Sequence, residues 1–158
     1  MPRYHLSLGS NLEPEQHLRG ALRDLRVRFG PLQVSSVYES GAVGFEGPPF
    51  WNLAVGLDSD LDADALKAWL HGLEEAHGRR RDQPRYADRT LDLDIVAISG
   101  RATDRPELQH AFVLAPLAEI APAIRDSQTG STIAESWQRL QSASTETLRK
   151  LAVDLLRG

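Results

Sequence analysis

Polar and apolar residues alternate from Tyr4 to Leu8, and the alternation stops at Gly9, Ser10 and Asn11, which predicts a strand followed by a turn. Pro14 suits a first helical turn, and Leu18, Leu22, Leu25 and Phe29 then recur at spacings of four, three and four. Gly30 and Pro31 end this first helix. Leu32 to Ser40 and Phe50 to Asp58 are rich in β-forming residues, and the Gly- and Pro-rich stretch between them predicts two strands joined by a long loop. Asp62 can cap a second helix that carries Asp64 in its first turn, buries Leu66, Leu70 and Leu73, and stops at Gly78. Leu91 to Ile98 is a further strand. The order βαββαβ is that of an α+β, ferredoxin-like sandwich, an antiparallel sheet with both helices on one face. The last third reads as added helical elements: one turn over Pro116 to Ile120, and a helix over Ile133 to Leu140 capped by Ser131 or Thr132. Thr145 to Leu156 fits helix or strand equally.

Composition narrows the class. The chain has 158 residues, 41% of them hydrophobic, enough to bury a core without staples. With no repeat or linker in view, residues 1–158 are expected to form a single domain. No cysteine is present, which excludes disulfide scaffolds, thiol catalysis and Cys-ligated zinc and fits a reducing compartment, so a cytoplasmic location is expected. The start lacks a long apolar run, and no stretch approaches 18 uninterrupted apolar residues, so neither a signal peptide nor a membrane partner is expected. A net charge of −4 argues against general nucleic-acid binding.

Basic charge is nevertheless concentrated. Residues 79–89 hold Arg79, Arg80, Arg81, Arg85 and Arg89 against Asp82 and Asp88. Alone, this run fits a solvated loop as well as a phosphate clamp. Just beyond it Asp92 and Asp94 stand at i and i+2 of a strand, so both carboxylates point to one face while Leu91, Leu93 and Ile95 point to the other. Two like charges side by side are either a solvated sheet edge or half of a site for a hard cation such as Mg²⁺. Arginines beside a carboxylate-held metal are the equipment for binding a polyphosphate. Other phosphate devices are missing: neither Lys67 nor Lys150 follows a glycine-rich turn. The acids Asp58, Asp60, Asp62 and Asp64 lack the glycine of a calcium loop, and the five histidines show no zinc-hydrolase spacing. Phe50, Trp51 and Asn52 open a strand after the Gly/Pro loop, a setting for ordinary packing or for holding a flat heterocycle by its ring face and edge.

Several blocks together resemble one family, the 6-hydroxymethyl-7,8-dihydropterin pyrophosphokinases of folate biosynthesis. They are LSLGSNL (6–12), VSSVYES (34–40), FWNLAV (50–55), the ExxxGRxR pattern from Glu74 to Arg81, RTLDLDI (89–95) and FVLAPLAEIAP (112–122). The resemblance implies transfer of the β,γ-pyrophosphate of ATP to the pterin hydroxymethyl group, leaving AMP. By position it implies Asp92 and Asp94 as ligands of Mg²⁺, two ions arriving with ATP. Asn52 is implied as the residue reading the pterin edge, Phe50 and Phe112 as the faces of a stacking sandwich, and Val43 as a further pterin contact. Arg79, Arg81, Arg85, Tyr86, Arg89 and Glu74 are implied around the nucleotide, with Arg81, Arg89 and Asp94 as the catalytic groups.

The chain also departs from the family's pattern. Tyr86, Ala87 and Asp88 stand where tryptophan, glycine and proline or alanine are usual. The segment from Ile98 to Phe112 is short and lacks a Pro-His pair, His110 replaces an arginine, and Ser40, Gly41 and Ala42 replace Thr-Pro-Pro. The resemblance therefore leaves two related expectations: an active monomeric transferase using ATP and a reduced pterin, and a paralogue that binds pterin or nucleotide without efficient transfer. A ferredoxin-like RNA-binding module is a third class, which the acidic balance and the paired aspartates disfavour.

Overall fold

The computed structural model describes residues 1–41, 47–78, 88–104, 106–143 and 148–156. Its centre is four antiparallel strands in the order β5 (Asp92–Ile98), β1 (Arg3–Ser10), β4 (Phe50–Asp58) and β3 (Val37–Ser40). Helices α1 (Pro14–Phe29) and α2 (Ala63–Ala76) cover one face, as the sequence pattern predicts. Asp62 caps α2 by accepting from the Ala65 N–H at 2.8 Å, and Gly30 and Gly78 follow the two helices at φ 86° and 89°, where a Cβ would be strained. Short strands extend the sheet beyond β5, namely β6 (Arg101–Ala102) and β7 (Arg125–Asp126).

Alternation divides each central strand between two cores, with one irregularity in β5, where the register with β1 shifts and the adjacent residues Val96 and Ala97 both enter the second core. Tyr4, Leu6 and Leu8 of β1, Leu53, Val55 and Leu57 of β4, and Leu93 of β5 pack with Leu18, Leu22 and Leu25 of α1 and Leu66, Leu70 and Leu73 of α2. The opposite face carries Ala54, Val96 and Ala97, covered by α3 (Ala111–Ile120) and α4 (Ile133–Ala143). At about 2 kcal/mol for each fully buried leucine, the first cluster supplies most of the drive to form the sheet. Among the described residues no helix is long and apolar enough to cross a membrane.

Three elements differ from the sequence expectation. Leu32 to Ser40 is not one strand: β2 (Gln33–Val34) and β3 both pair with β4, but one extra residue separates their registers. At this bulge the Ser35 hydroxyl takes the Ala54 N–H at 2.8 Å, and the Ser36 N–H and hydroxyl both donate to Glu119 of α3. The shift lets Val34 and Val37, three residues apart, pack against the same core. Helix α3 spans ten residues rather than one turn, carrying Pro116 inside it, because burial on nearly all sides outweighs the hydrogen bond that proline cannot donate. Within Thr145 to Leu156, Leu148–Leu151 form strand β8, which covers the edge of β3 and is held by Arg149 on Glu39 at 3.0 Å, and residues 152–156 are neither helix nor strand.

Two buried or half-buried histidine sites make the fold sensitive to acid. His5 faces the second core, its Nδ1 has no partner, and burial, reinforced by Arg3 and opposed by Asp58, lowers its pKa to about 4. His17 and His77 join α1 to the end of α2 through their Nδ1 atoms at 2.9 Å, so at least one ring must be neutral at that nitrogen, and burial and then His17 lower the pKa of His77. Neutral histidines in the fold and ordinary ones near 6.5 in the unfolded chain mean that acid favours unfolding. Stability is therefore expected to fall from pH 7.5 to pH 5, by about 1–2 kcal/mol from His5 alone. Urea unfolding at both pH values checks this: His5→Asn should flatten the difference, and an unchanged difference would remove His5 as its source.

Candidate active site

The registers of β1 with its two neighbours set the site. Gly9 of β1 lies opposite Asp92 on one side and Asn52 on the other, and Asn52 lies opposite Tyr38. Asp92, Gly9, Asn52 and Tyr38 thus form one row across four strands, and Asp94 stands in the next same-face row, opposite Ser7. All sit on the face away from α1 and α2. Adjacent strands are about 4.8 Å apart, so the carboxylate pair and the Asn52 amide are roughly 10 Å apart along the row, the span of a bicyclic ring with its substituent.

Gly9 forms the floor between them. A Cβ there would lie 3.3 Å from Asn52 Oδ1 and 3.7 Å from Phe50 Cδ1, so the missing side chain leaves the amide undisturbed and the surface open. Asn52 is 3% exposed, and its Nδ2 donates to the Ser40 hydroxyl at 2.9 Å, with longer contacts to the carbonyls of Tyr38 and Phe50. With the nitrogen held by protein, Oδ1 is the atom directed over Gly9, an acceptor for a ligand's N–H groups. Ser40, which stands at a departure from the family pattern, is what fixes this orientation.

Phe50 shares the face of Asn52, being two residues before it on β4. Phe112 is half-buried in the first turn of α3, and His110 stacks on its ring at 4.9 Å between centroids with 13° between planes. One face of Phe112 therefore rests on His110, and the ring also packs against the second core. The sequence marked His110 only as a substitution; its role in backing the ring needed the structure to be seen.

Arg89 is buried at 6% exposure, three residues before Asp92, with Nη1 donating to the Asp88 carbonyl at 3.3 Å. Glu74 has a definite place: it is 1% exposed, and its Oε2 accepts from the Leu93 N–H at 2.7 Å. Leu93 lies between the two aspartates on a part of β5 where β6 does not pair, so this carboxylate satisfies an edge amide and holds the backbone that carries Asp92 and Asp94. Val43, Arg79, Arg81, Arg85 and Tyr86 lie outside the described residues. Among those described, no group of three or more His, Cys, Asp or Glu could hold a metal. Two half-buried carboxylates suit Mg²⁺, which keeps waters and takes its remaining ligands from phosphate oxygens rather than from a protein cage.

A ferredoxin-like sheet whose second face, partly covered by α3 and α4, carries a carboxylate pair and an oriented amide beside an aromatic ring, with a buried arginine three residues before the pair, defines an α+β protein equipped for a phosphorylated ligand and a flat heterocycle. Residues 5–122 match the family described as 7,8-dihydro-6-hydroxymethylpterin-pyrophosphokinase (HPPK), and the chain belongs to that family. It is 38% identical over 136 residues to the 2-amino-4-hydroxy-6-hydroxymethyldihydropteridine pyrophosphokinase of Pseudomonas aeruginosa, covering 78% of this chain and 83% of that one. A protein of the same name from Synechocystis is 36% identical over 140 residues, covering 81% and 71%. The fold is similar to that of HPPK-DHPS solved in complex with substrates (TM-score 0.70, 11% identity) and to the wild-type HPPK-DHPS of Plasmodium falciparum (TM-score 0.71, 12% identity). These cover 90% and 89% of this chain but only 46% and 45% of the solved chains, so this chain spans less than half their length.

Glu74→Ala is expected to leave the buried Leu93 amide unsatisfied and to cost about 1–3 kcal/mol of stability. Hydrogen exchange locates the effect: the Leu93 amide should exchange faster relative to that of Leu8 on the neighbouring strand. Unchanged protection of Leu93 would show that Glu74 does not hold β5.

Proposed function

We propose that this chain transfers pyrophosphate from ATP to 6-hydroxymethyl-7,8-dihydropterin. The observation that carries the reading is the single row in which Asp92 and the Oδ1 of Asn52 flank the glycine floor. Asn52 Oδ1 accepts from the N–H groups on the pterin edge, while Phe50 and Phe112 hold the ring plane. The hydroxymethyl group then lies toward the carboxylates. Its oxygen forms a bond to the β-phosphorus of ATP, the bond from that phosphorus to the α,β-bridging oxygen breaks, AMP leaves with the bridging oxygen, and the hydroxyl proton passes to solvent.

Asp92 and Asp94 would hold Mg²⁺, whose charge neutralises the phosphoryl oxygens as the bond to AMP breaks. Arg89, Arg79, Arg81 and Arg85 would supply guanidinium groups to the triphosphate, and Tyr86 and Val43 would contribute contacts to nucleotide and pterin, the roles their matching positions in the family imply. Glu74 serves the nucleotide side by holding the β5 backbone. The likeness of this chain to pyrophosphokinases that match over most of their own length supports the reading, as does the fit of the donor set to a metal that arrives with ATP. The unit of action is a cytoplasmic monomer.

Incubation with ATP, Mg²⁺ and the dihydropterin should yield AMP and pyrophosphorylated pterin in equal amounts, scored by chromatography. Pterin binding without AMP would contradict transfer. Asp92→Asn and Asp94→Asn should each lower AMP formation at least about a hundredfold, the loss of several kcal/mol of charge stabilisation, while leaving circular dichroism unchanged. Wild-type rates at low Mg²⁺ would overturn the metal assignment. Phe112→Ala should weaken pterin binding by roughly 1–3 kcal/mol, measured by calorimetric titration, by analogy with bases stacked on aromatic side chains. Binding as tight as in the parent would remove Phe112 from the sandwich.

A further inference from the structure

Two histidines 60 positions apart in the chain present the same ring nitrogen to one point. His17 lies at the start of α1 and His77 caps the end of α2; their Nδ1 atoms are 2.9 Å apart, and the rings meet edge-on at 70°. Both rings are half-buried, so each keeps a side open to solutes. The His77 backbone is held in place, its N–H donating to the carbonyls of Leu73 at 3.2 Å and Glu74 at 3.1 Å.

The sequence of α1 makes room for this pair. Gly20 is buried in the interior of α1, where glycine weakens a helix, and it stands one turn beyond His17. A Cβ at Gly20 would lie 2.9 Å from His77 Cε1, closer than atoms pack, so the missing side chain is the space that the imidazole occupies. The charges that act on His77 from α1, Asp24 and Arg23, are of opposite sign. Nothing in the transferase reading uses either ring, and α1 and α2 lie on the other side of the sheet from Asp92 and Asp94.

We propose that His17 and His77 form a binding site for a divalent transition cation of the zinc and copper class, which joins α1 to the end of α2. In the metal-free pair one ring donates its Nδ1–H to the lone pair of the other. On binding, that proton moves to the Nε2 of the same ring, so both imidazoles stay neutral and both Nδ1 lone pairs face the cation. A tetrahedral cation with metal–nitrogen bonds of about 2.0–2.1 Å holds its nitrogens about 3.3 Å apart, so the pair needs to open by only about 0.4 Å. Among the described residues no third His, Cys, Asp or Glu joins them, and water completes the coordination. Imidazole donors select Cu²⁺ and Zn²⁺ over Mg²⁺, which prefers oxygen. Because the two nitrogens meet only when both helices are in place, the cation binds the folded chain in preference to the unfolded one and raises its melting temperature.

Calorimetric titration of zinc into the full chain in the presence of Mg²⁺, near pH 7.5 and above the ordinary histidine range, should show one equivalent bound. His17→Gln and His77→Gln should each weaken that binding at least about tenfold and lose the zinc-dependent rise in melting temperature. Electron paramagnetic resonance of the Cu²⁺-loaded parent should show two coordinating nitrogens, and that of each glutamine variant fewer. Gly20→Ala keeps both histidines and favours the helix but displaces the His77 ring, so it too should weaken zinc binding; it decides the matter if a glutamine variant does not fold. Asp92→Asn should bind zinc as the parent does. Equal zinc affinity in the parent and in the folded His17, His77 and Gly20 variants would overturn the proposal, as would loss of zinc binding in Asp92→Asn. Failure of the parent to bind either Zn²⁺ or Cu²⁺ at about 1 mM would reduce the pair to a hydrogen bond between two rings.

Discussion

A one-residue slip of β5 against β1 would turn Leu91 and Leu93 out of the core and turn Asp92 and Asp94 into it. Everything the site does depends on that register. Apolar burial enforces it from below: Leu93 is 3% exposed beneath α1 and α2, and the same alternation that buries it raises the carboxylates on the other side. The first core therefore does the work of placing charges that repel each other. Glu74 adds a second hold from the edge, since its carboxylate takes the Leu93 amide between the two aspartates.

The opposite face has to meet two demands. Where Val96 and Ala97 lie, it packs under α3 and α4. Toward the row of Gly9 it must stay open and polar without leaving buried groups unpaired, and Asn52 shows how: its nitrogen is satisfied by Ser40, Tyr38 and Phe50, and its oxygen lies over a position with no side chain. The bulge at Ser35 and Ser36 belongs to the same arrangement, because it lets Val37 enter the first core while Tyr38 turns to α3. There the Tyr38 hydroxyl donates to Glu119 at 2.7 Å. Burial works against an ionised Glu119, but the bonds from Tyr38 and Ser36 hold its carboxyl below the usual range and clamp α3, which bears Phe112, to the sheet.

The strands and helices of the sandwich were legible because each carries a clear period, 3.6 in α1 and α2 and two in β1 and β5, interrupted in β5 only by the register shift at Val96. Residues 32–40 concealed their break, since serine hydroxyls that replace ladder partners look like the polar positions of an ordinary strand. Helix α3 has apolar residues all round and a proline within, so it offers no period to detect. Asp92, Asp94 and Asn52 stood out as chemistry on a strand. The roles of Glu74, Ser40, His110 and Asn11 did not, because each consists of a contact with a partner that sequence spacing does not bring near. Asn11 lies in a recognisable block, yet its bonds to Pro48 and Asp88 exist only in the folded chain.

The most direct measurement of this account is a crystal structure with Mn²⁺ in place of Mg²⁺, a non-hydrolysable ATP analogue and the dihydropterin, the manganese being located by anomalous scattering. The account predicts manganese coordinated by oxygens of both Asp92 and Asp94, and the heterocycle above Gly9 with its N–H edge on Asn52 Oδ1. Manganese away from either aspartate, or a ring bound anywhere but over that glycine, would contradict it.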